Sequence, residues 1–166
     1  MTVELHPSLA GGPVNRDILS GLPPELAFTA EEYRDRLTRV RLAMRERGVD
    51  VLLLQEPSNV LYLSGFQSFA MYGGECFVLP LEGEPTLVVH PPELGTALLH
   101  SWLDGAIGYA DGQSHEEDLA GFLRDQGFGT SKIGVEKASI GITAQSHEDL
   151  LAGLPAWLST AHPLRR

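Results

Sequence analysis

The chain has 166 residues, of which 43% are hydrophobic and 20% charged, with a formal net charge of -10. That length suits one domain with a core large enough to need no covalent staples. Only 12 Lys and Arg stand against 22 Asp and Glu, which argues against a nucleic-acid partner and against an anionic membrane surface, because both need clustered cations to replace counterions.

Cys76 is the single cysteine, so no intramolecular disulfide can form; a reducing, cytoplasmic setting is the expectation. Met1 to Gly12 has neither a basic start nor an apolar run, so no signal peptide is expected. Residues 1–27 contain Gly11, Gly12, Pro13, Gly21, Pro23 and Pro24 and show no sustained period, and they read as an extended N-terminal arm. The domain itself is expected over 28–166.

Thr29 and Glu32 form a capping-box pattern, with Phe28 and Tyr33 placed to staple the helix start. Tyr33, Leu37, Val40 and Met44 then recur at helical spacing, opposite a face of Arg34, Asp35, Arg36, Arg39, Arg45 and Glu46. Gly48 should end this helix. Val49 to Leu54 reads as a buried strand, Pro57-Ser58-Asn59 as a turn and Val60 to Leu63 as a second short strand. A loop over 66–75 carries Phe66, Phe69 and Tyr72.

Glu75 to Leu81 and Pro85 to His90 are strands around the tight turn Glu82-Gly83-Glu84, a hairpin signal. Pro91 and Pro92 open a helix to about Leu103. A short strand is expected at Ile107 to Tyr109. Ser114 and Glu117 repeat the capping pattern before a helix ending near Gln126. Lys132 to Glu136, Thr143 to Leu151 and Trp157 to Ala161 follow as strand, helix and strand. Helices between strands imply a layered α/β domain, and the hairpin implies a mixed sheet.

The chain carries little recognisable chemistry. Gly73 and Gly74 precede a strand, so they are not the strand-to-helix phosphate loop of a dinucleotide site. Ser64-Gly65 reads as a turn rather than a nucleophile elbow. The six histidines (His6, His90, His100, His115, His147 and His162) show no spacing that places two imidazoles on one helix face. His115-Glu116-Glu117-Asp118 reads as favourable charge at a helix start. Cys76, in an apolar strand, reads as a buried inert thiol. Trp102 and Trp157 read as core. The aromatic loop after Gly65 has two readings: a contact surface, or rings that close one end of the sheet.

The run Phe28-Thr-Ala-Glu-Glu-Tyr33-Arg-Asp-Arg36-Leu37, with Arg41, Met44 and Gly48-Val-Asp50, resembles the creatinase/prolidase N-terminal domain. Pro57-Ser-Asn59, Tyr62-Leu-Ser-Gly65-Phe66, Gly83-Glu-Pro85 and Ile133-Gly-Val-Glu136 extend the resemblance in order. It implies a three-layer α/β/α domain with a mixed central sheet, a ribonuclease-H-like motif. It also implies that a catalytic "pita-bread" domain follows in the parent protein, beyond Arg166, and that this chain alone is inactive.

That following domain would hold two divalent metals (Mn, Co or Zn), or none in a creatinase-like member, and this chain would hold no cofactor. The expected partners are the parent's own C-terminal catalytic domain and a second copy in a homodimer, with no nucleic acid and no membrane. The resemblance places the loop after Gly65 at the rim of a neighbouring subunit's pocket, which makes Phe66, Phe69, Tyr72 and Glu75 the candidate rim residues; no catalytic or metal-ligating residue is assigned. Around Gly65 to Cys76 the chain resembles creatinase and ectoine-hydrolase-like members more than ordinary prolidases. The alternatives are a stand-alone binding module, and a small enzyme using carboxylates such as Glu75 and Glu136.

Overall fold

The computed structural model describes residues 13–68, 74–109, 115–136, 139, 142–154 and 158–161, the last four and residue 151 by backbone only. In chain order the elements are β1 (Pro13–Asn15), α1 (Ala30–Arg47), β2 (Val51–Leu54), α2 (Pro57–Ser64), β3 (Cys76–Pro80) and β4 (Thr86–Val89). Then come α3 (Leu94–His100), β5 (Gly105–Gly108), α4 (His115–Asp125), β6 (Ile133–Glu136), α5 (Ala144–Gly153) and β7 (Leu158–Ala161). No described helix is long and apolar enough to cross a membrane.

The continuous apolar run of β2 is explained by burial on both faces of the sheet, where period-two alternation has no polar side to show. Leu52 and Leu54 pack with Tyr33, Leu37, Val40 and Met44 of α1 and with Val60 and Leu98 of α2 and α3. Val51 and Leu53 face the other way, toward Leu119, Ala120 and Leu123 of α4 and Leu150 of α5. The result is the expected three-layer α/β/α arrangement, with α1, α2 and α3 on one face and α4 and α5 on the other. Each such fully buried large side chain contributes about 1.5–3 kcal/mol by leaving water.

Among the described residues the sheet has seven strands in the order β1-β5-β4-β3-β2-β6-β7. β3 pairs antiparallel with both β2 and β4, so the Glu82 to Glu84 hairpin forms as expected. β4 with β5, β2 with β6 and β6 with β7 are parallel, each connected over a helix-bearing segment.

Five details depart from the sequence reading. Val60 to Leu63 is not a strand but part of α2, with Pro57 in its first turn and Gly65 at its end with φ 84°. Val60, Leu63 and Ser64 form its buried face, and a four-residue apolar run does not distinguish that spacing from a strand. A side chain at Gly65 would also place its Cβ 2.9 Å from the His100 carbonyl and 3.0 Å from the Tyr33 hydroxyl. The Pro91 helix begins as a 3-10 turn and ends at His100, short of Trp102, whose Nε1 donates to the Leu63 carbonyl at 2.8 Å.

The capping box at Thr29 is half made. Thr29 Oγ1 accepts from the Glu32 N–H at 3.2 Å, but the Glu32 carboxylate turns forward to Arg36 Nε at 3.1 Å. Phe28 and Tyr33 meet edge-on at 6.1 Å, as the staple requires. Arg36 is not on the solvated face; it is 6% exposed. Its guanidinium lies over the rings of Phe28 (4.3 Å) and Tyr62 (4.5 Å) and donates to the Tyr62 carbonyl at 2.8 Å. A planar cation stacks on aromatic faces in a way that Lys does not. The pattern Ser114/Glu117 lies partly outside the described residues.

The boundary drawn at residue 28 also moves. Pro13–Asn15 joins the sheet edge as β1, with Val14 opposite Ala106 and buried. Arg16 then reaches across the end of α3, donating to the carbonyls of Leu98 (2.6 Å) and Ser101 (2.8 Å) and also to that of Leu103. Residues 13–27 therefore belong to the domain. Hydrogen bonds from a charged group contribute about 1.5–3 kcal/mol net. Arg16→Ala is expected to cost about 2 kcal/mol in urea unfolding and to speed proteolytic cleavage within 13–27; an unchanged midpoint would show that the arm is held by β1 alone.

Candidate functional site

The mixed pairing gathers chemistry at one end of the sheet. The carboxyl ends of β2, β4, β5 and β6 point the same way, and the antiparallel β3 begins there. In open α/β sheets that end is where ligands are met. It carries Gln55 and Glu56 after β2, Glu75 before β3, His90 after β4, Tyr109 after β5 and Glu136 at the end of β6.

Glu136 is structural. It is 2% exposed, and its Oε2 accepts from the backbone N–H groups of Gln55 and Glu56, both at 2.8 Å. Its Oε1 accepts from the Asn59 side-chain amide. Both oxygens are engaged in holding the entry to α2, which removes Glu136 as a candidate acid or base. This long-range cap is also why a helix forms at a segment whose own sequence lacks a side-chain cap.

The other groups form a compact cluster. His90 and His115 meet edge-on with ring centroids 4.4 Å apart, and His115 stacks on Tyr109 at 4.7 Å with an interplanar angle of 30°. Both imidazoles press on Gly74, whose φ is 104°; a Cβ there would lie 2.7 Å from His115 Nδ1 and 2.8 Å from His90 Nε2. Tyr109, in ring contact with both, and Glu75, next to Gly74 in the chain, are 3% and 5% exposed. Burial, with the Cys76 thiol and the carboxylates of Glu116, Glu75 and Asp118 adding to it, pushes the Tyr109 hydroxyl well above its usual range, so it stays protonated. Burial also raises the Cys76 thiol, with the Glu136 carboxylate reinforcing it, which leaves Cys76 inert as expected.

Burial first, then the neighbouring His90, lowers the His115 pKa, against the opposing pull of Glu116, Asp118 and Glu75. A histidine that binds its proton less readily folded than unfolded makes acid favour the unfolded chain. Its contribution is therefore complete above the unfolded value of about 6.5, declines as pH falls through the window down to the folded value, and is constant below it. Urea midpoints measured from pH 8 to pH 5 should fall less steeply in His115→Gln than in the wild type. Parallel curves would assign the acid sensitivity to other groups.

Of the four expected rim residues, the structure places Glu75 in this cluster. Phe66 is 1% exposed and sits in the core beside α1 and α3. Phe69 and Tyr72 lie outside the described residues. Nearby, Ser68 Oγ donates to Glu93 Oε1 at 2.7 Å, tying the chain after Phe66 to the turn after β4. His90 and His115 were not paired by sequence spacing because they are brought together by the sheet, not by a helix face. Among the described residues no three His, Cys, Asp or Glu side chains converge as a metal-ligand set. These residues do not fit the metal pair expected of a following domain, and no metal-dependent step is assigned to them.

The fold has close parallels. The N-terminal domain of an X-Pro dipeptidase from Streptococcus pyogenes superposes with a TM-score of 0.64 at 18% identity, covering 76% of this chain and 99% of that one. The dipeptidase PepE from Mycobacterium ulcerans superposes with a TM-score of 0.65 at 22% identity, covering 81% of this chain and 35% of that one.

In sequence, the chain is 33% identical over 139 residues to the ectoine hydrolase of Halomonas elongata, covering 78% of this chain and 35% of that protein. It is 27% identical over 139 residues to an uncharacterized hydrolase/peptidase of Sinorhizobium fredii, covering 78% of this chain and 36% of the relative. The chain thus spans about one third of the length of these curated relatives. The family model for the Creatinase/Prolidase N-terminal domain matches residues 36–166. That match covers most of the chain, and the chain belongs to the creatinase/prolidase N-terminal domain family.

Proposed function

We propose that the chain serves as the non-catalytic N-terminal domain of a hydrolase of the Xaa-Pro peptidase or creatinase type, acting on small amide or peptide substrates. In this reading it supports assembly into a homodimer, and the segment between α2 and β3 shapes the rim of the neighbouring subunit's substrate pocket. The observation that carries the reading is family membership together with the placement of that segment, which starts at Phe66 in the core and returns through Glu75 at the strand-end cluster. The 33% identity to an ectoine hydrolase supports a hydrolase as the parent protein.

The cytoplasm is the proposed location, supported by a single cysteine that is buried. No acid, base or nucleophile for hydrolysis is assigned within the described residues; the chemistry belongs to the catalytic domain proposed to accompany this one.

Two measurements test the proposal. The native gene product should have a mass more than twice the 18.0 kDa of this chain; an equal mass would favour a stand-alone binding module. In that longer product, Phe69→Ala and Tyr72→Ala should raise KM severalfold with little change in kcat, since they would remove rim contacts made equally to substrate and transition state. Unchanged KM in both variants would remove the rim role while leaving the domain assignment intact.

A further inference from the structure

Two imidazoles join four separate parts of the fold. His90 follows β4, His115 is the first residue of α4, Tyr109 follows β5 and Gly74 precedes β3. The His90 and His115 rings meet at 4.4 Å with an interplanar angle of 81°, and Tyr109 contacts them at 5.9 Å and 4.7 Å. Nitrogens of both imidazoles converge on Gly74: a Cβ there would lie 2.7 Å from His115 Nδ1 and 2.8 Å from His90 Nε2. Positive charge on both rings would therefore be concentrated in one place.

We propose that the His90–His115 contact is a pH-sensitive latch, which holds the start of α4 against the ends of β4 and β5 while at most one ring is charged and parts when both are. A first proton is tolerated. Glu75 at the start of β3, and Glu116 and Asp118 in the first turn of α4, all act on His115 in favour of its charged form. A second proton meets the first charge at ring-contact distance, and like charges in one site oppose each other's ionisation.

Two further features act the same way. His115 sits at the amino end of an 11-residue helix, where the helix dipole disfavours a cation. Both rings are half-buried, and burial disfavours the charged form. The other titratable neighbours do not cancel this: the Tyr109 hydroxyl and the Cys76 thiol are held in their neutral forms. No Lys or Arg is among the groups that act on His115 or Tyr109.

The direction follows from linkage. An imidazole in water takes its proton near pH 6.5, whereas the latched pair takes its second proton only at lower pH. The parted state binds more protons, so acid favours it. The latch is complete above about pH 7 and weakens as pH falls through about 6.5, by at most about 10-fold per pH unit for one proton. Parting two rings exposes little surface, so it does not require the domain to unfold.

Two measurements on the full 166-residue chain test the latch. The first is amide hydrogen exchange corrected for its intrinsic pH dependence. The Tyr109 amide, which donates to the Val89 carbonyl at 3.1 Å, and the amides of 119–120 in α4 should lose protection severalfold between pH 7.5 and pH 5. That loss should not respond to low urea, as befits a local opening, whereas exchange within α1 should. The second is an NMR titration of the imidazole resonances. In His90→Gln the His115 midpoint should rise, because the opposing charge is gone, and the acid loss of protection should shrink.

Unchanged protection at pH 5 would overturn the proposal. So would protection lost only with the urea dependence of α1, or a His115 midpoint that does not move in His90→Gln. Circular dichroism confirms that the variant is folded; if it is not, the wild-type exchange pattern decides the question alone.

Discussion

Glu136→Ala should lower the stability of the domain by about 3 kcal/mol, measured as a shift in the urea unfolding midpoint with little change in slope. The estimate starts from three donors to one carboxylate: the N–H groups of Gln55 and Glu56, and the Asn59 amide. Gln55 is itself buried. Removing a charged acceptor leaves buried donors unsatisfied at about 1–3 kcal/mol each, and bonds that share one acceptor are not additive.

Glu136→Gln should lose less, because its amide oxygen can still accept while its NH2 faces existing donors. Asn59→Ala should lose less again, since both backbone contacts persist. If Glu136→Ala were within 0.5 kcal/mol of wild type, the size typical of a surface substitution, the entry to α2 would not be held by this carboxylate. The consequence reaches the proposed rim, because α2 leads directly into the segment after Phe66. Loosening its start should raise amide exchange in 57–68 more than in α4.

Phe66→Ala should cost about 3–5 kcal/mol, the usual range for truncating a fully buried aromatic. Phe66 is 1% exposed and packs in the cluster that includes Tyr33, Leu94 and Leu98. Its own N–H is held by Ser64 Oγ at 3.0 Å. A loss of that size, read from chemical unfolding, assigns Phe66 to the core. A loss below about 1 kcal/mol, as surface positions show, would return it to the rim where the resemblance had placed it. The result matters because it fixes where the candidate rim begins: a residue that anchors the core cannot also lie against a ligand of another subunit. It leaves Phe69, Tyr72 and Glu75 as the rim positions to be tested by their effect on KM.

The α/β class was legible in the amino-acid order, because the elements rest on local physics; the three layers followed from the family resemblance. Thr29, Phe28 and Tyr33 mark the start of α1, and the recurrence of Leu37, Val40 and Met44 fixes its buried face. Val51 to Leu54 is too short and too uniformly apolar for a surface strand, and it is buried on both faces. Glu82-Gly83-Glu84 sets the β3–β4 hairpin through a turn that needs no distant partner.

The resemblance carried by Tyr62 to Phe66 and Ile133 to Glu136 pointed to the family that the comparison then bore out. What the sequence could not settle are features whose energy comes from residues far apart in the chain. Val60 to Leu63 is helical because Glu136, on β6, caps the entry to α2. Pro13–Asn15 is a strand because β5 offers an open edge and Arg16 finds three carbonyls at the end of α3. Arg36 is buried because three aromatic rings close around it, including Tyr62 from α2.

The strand-end cluster is the clearest case. His90 and His115 are separated by a helix and a strand in sequence, and no spacing rule joins them. They meet because β4 and β5 run parallel and deliver their carboxyl ends to the start of α4. Local propensity and hydrophobic period acted within a few residues and determined the elements. The sheet order, which brings the ends of β4 and β5 beside the start of β3, decided which side chains became neighbours.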